Sequence, residues 1–508
     1  MTAPTSPGTL GRRAELVLER LGGDHRSLFF EGTWWTAGEL AGRARRAARG
    51  FTELGVQPGD RVVLCMANVP EVGIAYAALW RAGAVVTPVL FLLSDDELRH
   101  VAQDSGAVAF VTTPEFLPKV LGAAAGRPVV VVGDAPPAPA VVPWEQLEAG
   151  TELPLVGRDP ADLAALLYTG GTTGRSKGVG LSHANLDASG AAGYAARYEP
   201  GRTRGLLPLP LAHVYGLMVT CAGLHAVEPT QSVLMRWFDP AQFVALVEQH
   251  RVQQAALVPS MIGMLLGQPL EEHDLSCLER VSSGGGPLAV ELALELERRV
   301  PGLEVREGYG CTETSGLIAT QPVHERRLGS VGRPVTGIEV RIEDLDGHPL
   351  PPGEDGEICV RGPLVMRGYW QSPEATAQAV RDGWFHTGDV GHLDDDGWLH
   401  VVDRLKDLVI RNGFNVYPRD VEDALLAHPE IAAAAVVGRP DPRVGEEVVA
   451  FVQLAPGSGL TPDDVVAFAK QHLSAAKYPR EVHVVDAVPL TSVLKTDRKA
   501  LRNRLRGT

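Results

Sequence analysis

The chain has 508 residues, 45% hydrophobic and 21% charged, the balance of a soluble globular protein large enough for roughly two to four domains. Its formal charge of −15 argues against nonspecific nucleic-acid binding and against attraction to anionic membranes. No apolar run reaches the roughly 18 residues that span a bilayer, residues 1–20 lack the apolar core of a signal peptide, and five scattered cysteines form no CxxC pair, so a cytoplasmic protein with buried free thiols is expected.

In chain order, residues 37–55 place apolar side chains at helical spacing, with Thr36 and Glu39 set for a capping box. Residues 61–66 read as a buried strand after a Pro-Gly-Asp turn, 70–80 as a helix and 85–89 as a strand. Further strands are expected at 107–112 and 128–132, and this alternation predicts a mainly parallel α/β sheet. Near Gly329 the texture changes. Short runs at 340–343, 357–361 and 399–403, separated by Gly, Pro and Asp, read as a small antiparallel region. Beyond it, 418–428 and 463–473 read as helices, 431–437 is apolar and 447–454 reads as a strand, with a boundary near Asp403 to Lys406.

The strand candidate ending at Tyr168 runs into Thr169-Gly170-Gly171-Thr172-Thr173-Gly174-Arg175-Ser176-Lys177-Gly178. Glycines let backbone N–H groups approach an anion, hydroxyls donate to its oxygens, and lysine adds charge. The lysine does not follow the last glycine as a Walker A loop requires. A plain surface turn would share this composition, but the segment resembles the signature loop of the adenylate-forming superfamily of acyl- and aryl-CoA synthetases, luciferases and peptide-synthetase adenylation domains. Gly170 stands where that loop has serine, and Ser176 where it has proline. The resemblance extends from about residue 36 to about residue 501. It implies a large N-terminal domain, 1–403, of two doubly wound α/β subdomains plus a small distorted β-barrel, followed by a small mobile α+β C-terminal domain, 404–508.

What the resemblance implies for further residues follows the matching motifs. Gly285, Gly286 and Pro287, within Ser283-Gly284-Gly285-Gly286-Pro287-Leu288, fall on the adenine side. In Tyr309-Gly310-Cys311-Thr312-Glu313, Tyr309 stacks on adenine beside Gly310, Thr312 meets the α-phosphate and Glu313 holds Mg²⁺. Asp389 of His386-Thr387-Gly388-Asp389 accepts from the ribose hydroxyls, and Arg404 reaches ribose or phosphate. Lys406 sits at the interdomain hinge, although an Arg/Lys/Asp cluster can equally be a surface ion-pair network. Lys495 takes the place of the adenylation lysine, with Leu494 where the family has glycine. His213 lies beside the carboxylate being activated, and Val214 and Tyr215 line the acid pocket. An apolar Val214 speaks against an α-amino acid, because a buried ammonium would go unpaired. Gly413 lies on the side that shapes a thiol tunnel, and Arg236 is a candidate for the CoA phosphates.

The implied activity is an ATP-dependent acid–CoA ligase acting on an aryl or a short or medium acyl acid, with ATP, Mg²⁺ and coenzyme A. No nucleic-acid or membrane partner is expected, and the enzyme is expected to be a monomer or homodimer. A carrier-protein thiol or an amine as acceptor, an unusual oxyanion as substrate, and a non-catalytic nucleotide-binding relative are the alternatives. Leu21-Gly22-Gly23-Asp24 resembles a phosphopantetheine attachment site, but too few residues precede it to form a carrier bundle.

Overall fold

Valine-rich runs bounded by turns build the first sheet. Arg61–Cys65, Val85–Pro88, Ala109–Thr112 and Val129–Val131 are buried almost throughout, as parallel strands covered on both faces must be. They pair in parallel within an eight-stranded sheet. Leu163–Thr169 joins that parallel set, then turns back antiparallel through Lys177–Ser182, which pairs with Gly368–Tyr369. The computed structural model describes residues 8–169, 175–344, 346–412, 414–490 and 496–506.

A second sheet has nine strands. Its parallel centre is formed by Glu304–Tyr309, Arg280–Ser283, Gln254–Leu257, Arg204–Leu207 and Gln231–Leu234. The N-terminal hairpin of Arg26–Phe30 and Thr33–Thr36 docks on Gln231–Leu234, about two hundred residues later in the chain. The helix Ala37–Glu53 follows that hairpin, and its start is fixed as expected. Glu39 N–H donates to Thr36 Oγ1 at 3.2 Å, and Thr36 N–H donates to the Glu39 carboxylate at 2.7 Å. Leu21 ends the helix Leu10–Leu21, and Gly22 caps it at φ 76°, so the Leu-Gly-Gly-Asp stretch is a helix stop.

These two sheets belong to one compact unit, residues up to 339 together with Val360–Phe385. The other unit comprises Val340–Cys359 and the chain from His386 onward. The antiparallel region is realised as a five-stranded sheet, with Gly356–Arg361 beside Trp384–Leu393 and Leu399–Arg404 paired to the latter. The C-terminal part is a further five-stranded sheet whose long hairpin is Ile431–Asp441 with Gly445–Leu454. Period-two alternation divides that hairpin between two cores. Val436, Val448, Ala450 and Val452 pack with Val421 and Leu425 of one helix and Val465 and Ala469 of another. Ala435, Val437, Val449 and Phe451 meet Leu501 of the last helix on the opposite face. Among the described residues, no helix is long and apolar enough to cross a membrane. The five cysteines are free. Cys65, Cys221, Cys277 and Cys359 are buried as expected, whereas Cys311 is half-buried.

Candidate active site

The phosphate-loop motif lies between two paired strands. Thr169 and Lys177 face each other in register as Leu163–Thr169 meets Lys177–Ser182. Gly170, Gly171, Thr172, Thr173 and Gly174 lie outside the described residues. The base of the hairpin is tightly held. Trp370 N–H donates to Gly178 O at 2.7 Å, its indole donates to Asp104 O at 3.0 Å, and the Tyr168 hydroxyl donates to Asp104 at 2.6 Å. A Cβ on Gly178 would come within 3.0–3.2 Å of Leu166, Trp370 and Tyr168.

Lys177 and Glu313 are linked through a residue that the sequence motifs did not single out. The Lys177 ammonium lies 5.2 Å from the centre of the Tyr369 ring, and the Tyr369 hydroxyl donates to Glu313 Oε1 at 3.0 Å. Burial and the adjacent carboxylate both raise the Tyr369 pKa, so this hydroxyl stays a donor. The strand pairing of Tyr369 with Val179 fixes this geometry. Its signal in the sequence was the Gly368-Tyr369-Trp370 triplet, an aromatic pair after a glycine at φ 141°.

Glu313 sits in the single turn Thr312–Thr314, after the strand that ends in Tyr309. The turn is braced on both sides. Met366 N–H donates to Glu313 O at 2.7 Å, the Ser315 hydroxyl to Leu364 O at 2.8 Å and the Ser189 hydroxyl to Ser315 O at 2.8 Å. Gly310 must be glycine, because a Cβ there would lie 2.5–2.6 Å from the Gly316 and Leu317 backbone. On the neighbouring strand end, Gly285 adopts φ 79° and so needs glycine's freedom, while a Cβ on Gly286 would meet only Pro259 at 3.7–3.8 Å. Pro287 follows that turn.

The segment from Leu207 to Tyr215, expected to border the acid, is clamped by residues that follow the first sheet's strands. The Asn68 amide donates to Leu209 O at 2.8 Å and accepts from Leu211 N–H at 2.9 Å, and the Tyr76 hydroxyl donates to Leu211 O at 3.0 Å. His213 is the N-cap of the helix Val214–Gly223, and its Nδ1 accepts the Tyr215 N–H at 3.2 Å. That bond leaves Nε2 as the proton-bearing nitrogen of the neutral ring. Val214 is buried, and the Tyr215 hydroxyl donates to Ser282 O at 3.1 Å, with burial pushing its pKa up to about 12. The Tyr215 ring lies 3.3 Å from the position of a Cβ on Gly284, which ties this segment to the glycine turn. Arg236 is engaged by Glu31 through two bonds, at 2.7 and 3.1 Å, so it is committed to an ion pair rather than free for a phosphate.

In the second unit, Asp389 and Arg404 are paired residues of adjacent antiparallel strands, with Arg404 Nε 3.0 Å from Asp389 Oδ1. The Asp389 side chain is 7% exposed and that of Arg404 48%, so one carboxylate edge is held from below while the guanidinium reaches solvent. Thr387 fixes the turn by accepting from Asp389 N–H at 3.0 Å and donating to Ile358 O at 2.8 Å. Lys406 is exposed, and desolvation by the surrounding chain and the Arg404 charge lower its pKa. The cluster around it is more than a surface network. Arg498 binds Glu422 with two bonds of 2.8 and 2.7 Å, Arg502 reaches Asp407 at 2.6 Å, and Asp403 accepts the Arg419 N–H at 2.8 Å. Asp403, Asp407 and Glu422 are all buried. Lys495 lies outside the described residues, as does Gly413. Leu490 and Thr496 on either side of the Lys495 segment pair as an antiparallel bridge. Arg411, beside Gly413, is locked to Glu447 at 2.7 and 3.3 Å.

Family models agree with this arrangement. The AMP-binding enzyme model matches residues 17–370, and the model of the AMP-binding enzyme C-terminal domain matches residues 420–495. The chain belongs to the AMP-binding enzyme family. It is an adenylate-forming enzyme, an AMP-forming acid–thiol ligase, as its motifs imply. Feruloyl-CoA synthase of Amycolatopsis sp is 39% identical, over 93% of this chain and 94% of its own length. 4-Coumarate–CoA ligase 5 of Oryza sativa subsp. japonica is 37% identical, over 92% of this chain and 89% of its own. Among solved structures, the amide bond synthetase McbA of Marinactinospora thermotolerans superposes with a TM-score of 0.87 at 32% identity, covering 97% of this chain and 99% of its own.

Proposed function

We propose that the chain is an ATP-dependent acid–CoA ligase acting on an aryl or a short or medium acyl carboxylic acid. The observation that carries this reading is the Lys177–Tyr369–Glu313 line beside the His213–Tyr215 segment, in a chain 39% identical to a feruloyl-CoA synthase. In the first half-reaction a carboxylate oxygen attacks the α-phosphorus of ATP, the bond to the pyrophosphate oxygen breaks, and pyrophosphate leaves. In the second, the CoA sulfur attacks the acyl carbonyl, the thiol proton is given up to solvent, and AMP leaves.

The roles assigned to individual residues are part of this proposal. Thr169, Gly170, Gly171, Thr172, Thr173, Gly174 and Lys177 hold the phosphates through backbone N–H groups, hydroxyls and one ammonium. Lys495 stabilises the charge that builds between carboxylate and α-phosphate. Gly285, Gly286, Pro287, Tyr309 and Gly310 border the adenine, Thr312 the α-phosphate, and Asp389 and Arg404 the ribose. The hinge at Lys406, the domain limits 1–403 and 404–508, the thiol path past Gly413, and a cytoplasmic monomer or homodimer complete the reading. Glu313 suits Mg²⁺. One oxygen is steadied by Tyr369, the carboxylate makes no other bond among the described residues, and a hard cation prefers such an oxygen. When bound, the ion offsets phosphate charge during the displacement.

Val214 is buried and apolar, and the Tyr215 hydroxyl is engaged by Ser282 O, so neither offers a carboxylate to an ammonium, which favours a plain carboxylic acid over an α-amino acid. The likeness to an amide bond synthetase supports one second reading, an amine as acceptor. Lys495→Ala tests the first half-reaction. It abolishes AMP formation and leaves ATP binding nearly intact. Normal turnover by this variant overturns the assignment of the lysine.

A further inference from the structure

The turn that carries Asp389 lies within the strand Trp384–Leu393, and it is held from both flanks. On one flank Leu405 N–H donates to Gly388 O at 2.9 Å, and Arg404 Nε lies 3.0 Å from Asp389 Oδ1. On the other stand three consecutive residues of Gly356–Arg361. Glu357 Oε1 accepts Gly388 N–H at 3.1 Å, and Glu357 Oε2 meets His386 Nδ1 at 2.9 Å. A carboxylate only accepts, so the imidazole proton sits on Nδ1. Ile358 O accepts the Thr387 hydroxyl at 2.8 Å, and Cys359 Sγ lies 3.2 Å from His386 Nδ1. All of these residues belong to the second unit.

Gly388 shows why such a hold matters. It adopts φ 69°, and a Cβ there would meet nothing within 4 Å, so side-chain packing does not restrain it. Glycine loses more conformational freedom on folding than any other residue, and Asp389 is the next residue in the chain. Hydrogen bonds to its N–H and its O take the place of packing. Glu357 is well anchored for this task. It follows Gly356, where a Cβ would overlap Glu343 O, so the strand start is pressed against the Glu343 backbone. The Glu357 side chain is 16% exposed and that of His386 9%. Burial, then the Glu357 and Glu343 charges, raise the Cys359 pKa, so the thiol keeps its proton and leaves Glu357 as the acceptor for the imidazole.

We propose that Glu357 is a positioning residue for nucleotide recognition. Through the Gly388 peptide and His386 it holds the Asp389 carboxylate where the two ribose hydroxyls meet it, and it touches no substrate atom itself. A carboxylate already in place spares the ordering cost that a mobile one pays on binding. This inference rests on the reading of Asp389 as the ribose acceptor and names what keeps that acceptor in place.

The test is a double-mutant cycle read with two nucleotides. Binding of Mg²⁺–ATP and of Mg²⁺–2′,3′-dideoxy-ATP is measured by titration calorimetry for the wild type, Glu357→Met, His386→Phe, Asp389→Ala and the Glu357→Met/Asp389→Ala double variant. Glu357→Met weakens ATP binding roughly tenfold and changes dideoxy-ATP binding by no more than about twofold. His386→Phe keeps a ring, removes the donor that orients the carboxylate, and weakens ATP binding about threefold with the same selectivity. In the Asp389→Ala background Glu357→Met changes ATP binding by no more than about twofold, because the group it acts through has gone. Equal loss on both nucleotides, or the same tenfold loss without Asp389, makes Glu357 a purely structural residue and overturns the proposal. If Glu357→Met does not fold, His386→Phe decides: a loss confined to ATP supports the proposal, and an unselective or absent loss overturns it. Asp389→Ala that weakens both nucleotides alike overturns the ribose reading itself, a result distinct from a selective Asp389 beside an unselective Glu357.

Discussion

The Tyr369 hydroxyl donates to Glu313 at 3.0 Å while the Tyr369 ring faces the Lys177 ammonium at 5.2 Å. One tyrosine thus touches both Glu313 and Lys177, the residues proposed to hold the metal ion and the phosphates, from a strand paired to Lys177–Ser182. Tyr369→Phe keeps the ring and removes the donor. A hydrogen bond to a charged group contributes about 1.5–3 kcal/mol. The half-saturating Mg²⁺ concentration for ATP–pyrophosphate exchange is therefore expected to rise roughly tenfold, with little change in melting temperature. An unchanged Mg²⁺ dependence removes Tyr369 from the site.

Asp389 is held almost out of solvent by its own strand pair, with Arg404 beside it. Asp389→Ala removes an acceptor for two hydroxyl donors and is expected to raise the KM for ATP about tenfold. The same substitution costs far less with 2′,3′-dideoxy-ATP, which lacks those hydroxyls. Equal losses with both nucleotides place Asp389 away from the ribose.

Arg498 sits among Glu422, Asp407 and Asp403. Burial alone would lower its pKa, but the three carboxylates outweigh that and raise it. Arg498→Met leaves Glu422 buried without its partner and is expected to cost about 3–5 kcal/mol in urea unfolding. Adding Glu422→Gln returns part of that loss, because the orphaned charge is gone. A single-variant loss below about 1 kcal/mol means the network is effectively solvated.

His183 gives the fold an acid limit. It is fully buried, its Nδ1 accepts Leu10 N–H at 3.3 Å, and its Nε2 has no partner among the described residues. Burial, helped by the Arg158 charge, brings its pKa down from 6.5 to about 4. The folded pKa lies below the unfolded one, so between them the unfolded chain binds more protons. This contribution to stability is complete above about pH 6.5 and is removed as pH falls towards 4, up to roughly 3 kcal/mol. His183→Gln flattens the dependence of the urea midpoint across that window. An identical slope in the variant assigns the acid limit to other groups.

Much of this was legible in the residues. Short motifs carry chemistry through fixed backbone geometry, so the family shows in local sequence, and Thr169, Lys177, Glu313 and Asp389 could be proposed as site residues from those motifs. The capping box at Thr36 and the strands at 61–65 and 85–88 follow from local pattern in the same way. What stayed hidden depends on long-range pairing. Arg26–Phe30 finds its partner at Gln231–Leu234, and Tyr369 reaches Glu313 only because Gly368–Tyr369 adds to the hairpin edge. Asp403 and Asp407 resembled a surface cluster until Arg498, some ninety residues later, is folded against them.

The most direct measurement is AMP and pyrophosphate release across aryl, short-chain and medium-chain acids, with and without CoA. The account predicts AMP release that depends on CoA and is strongest with one class of acid, with the acyl thioester as product. Pyrophosphate release that CoA does not stimulate, and that an amine accelerates, would contradict it and make the chain an amide-forming member of the family.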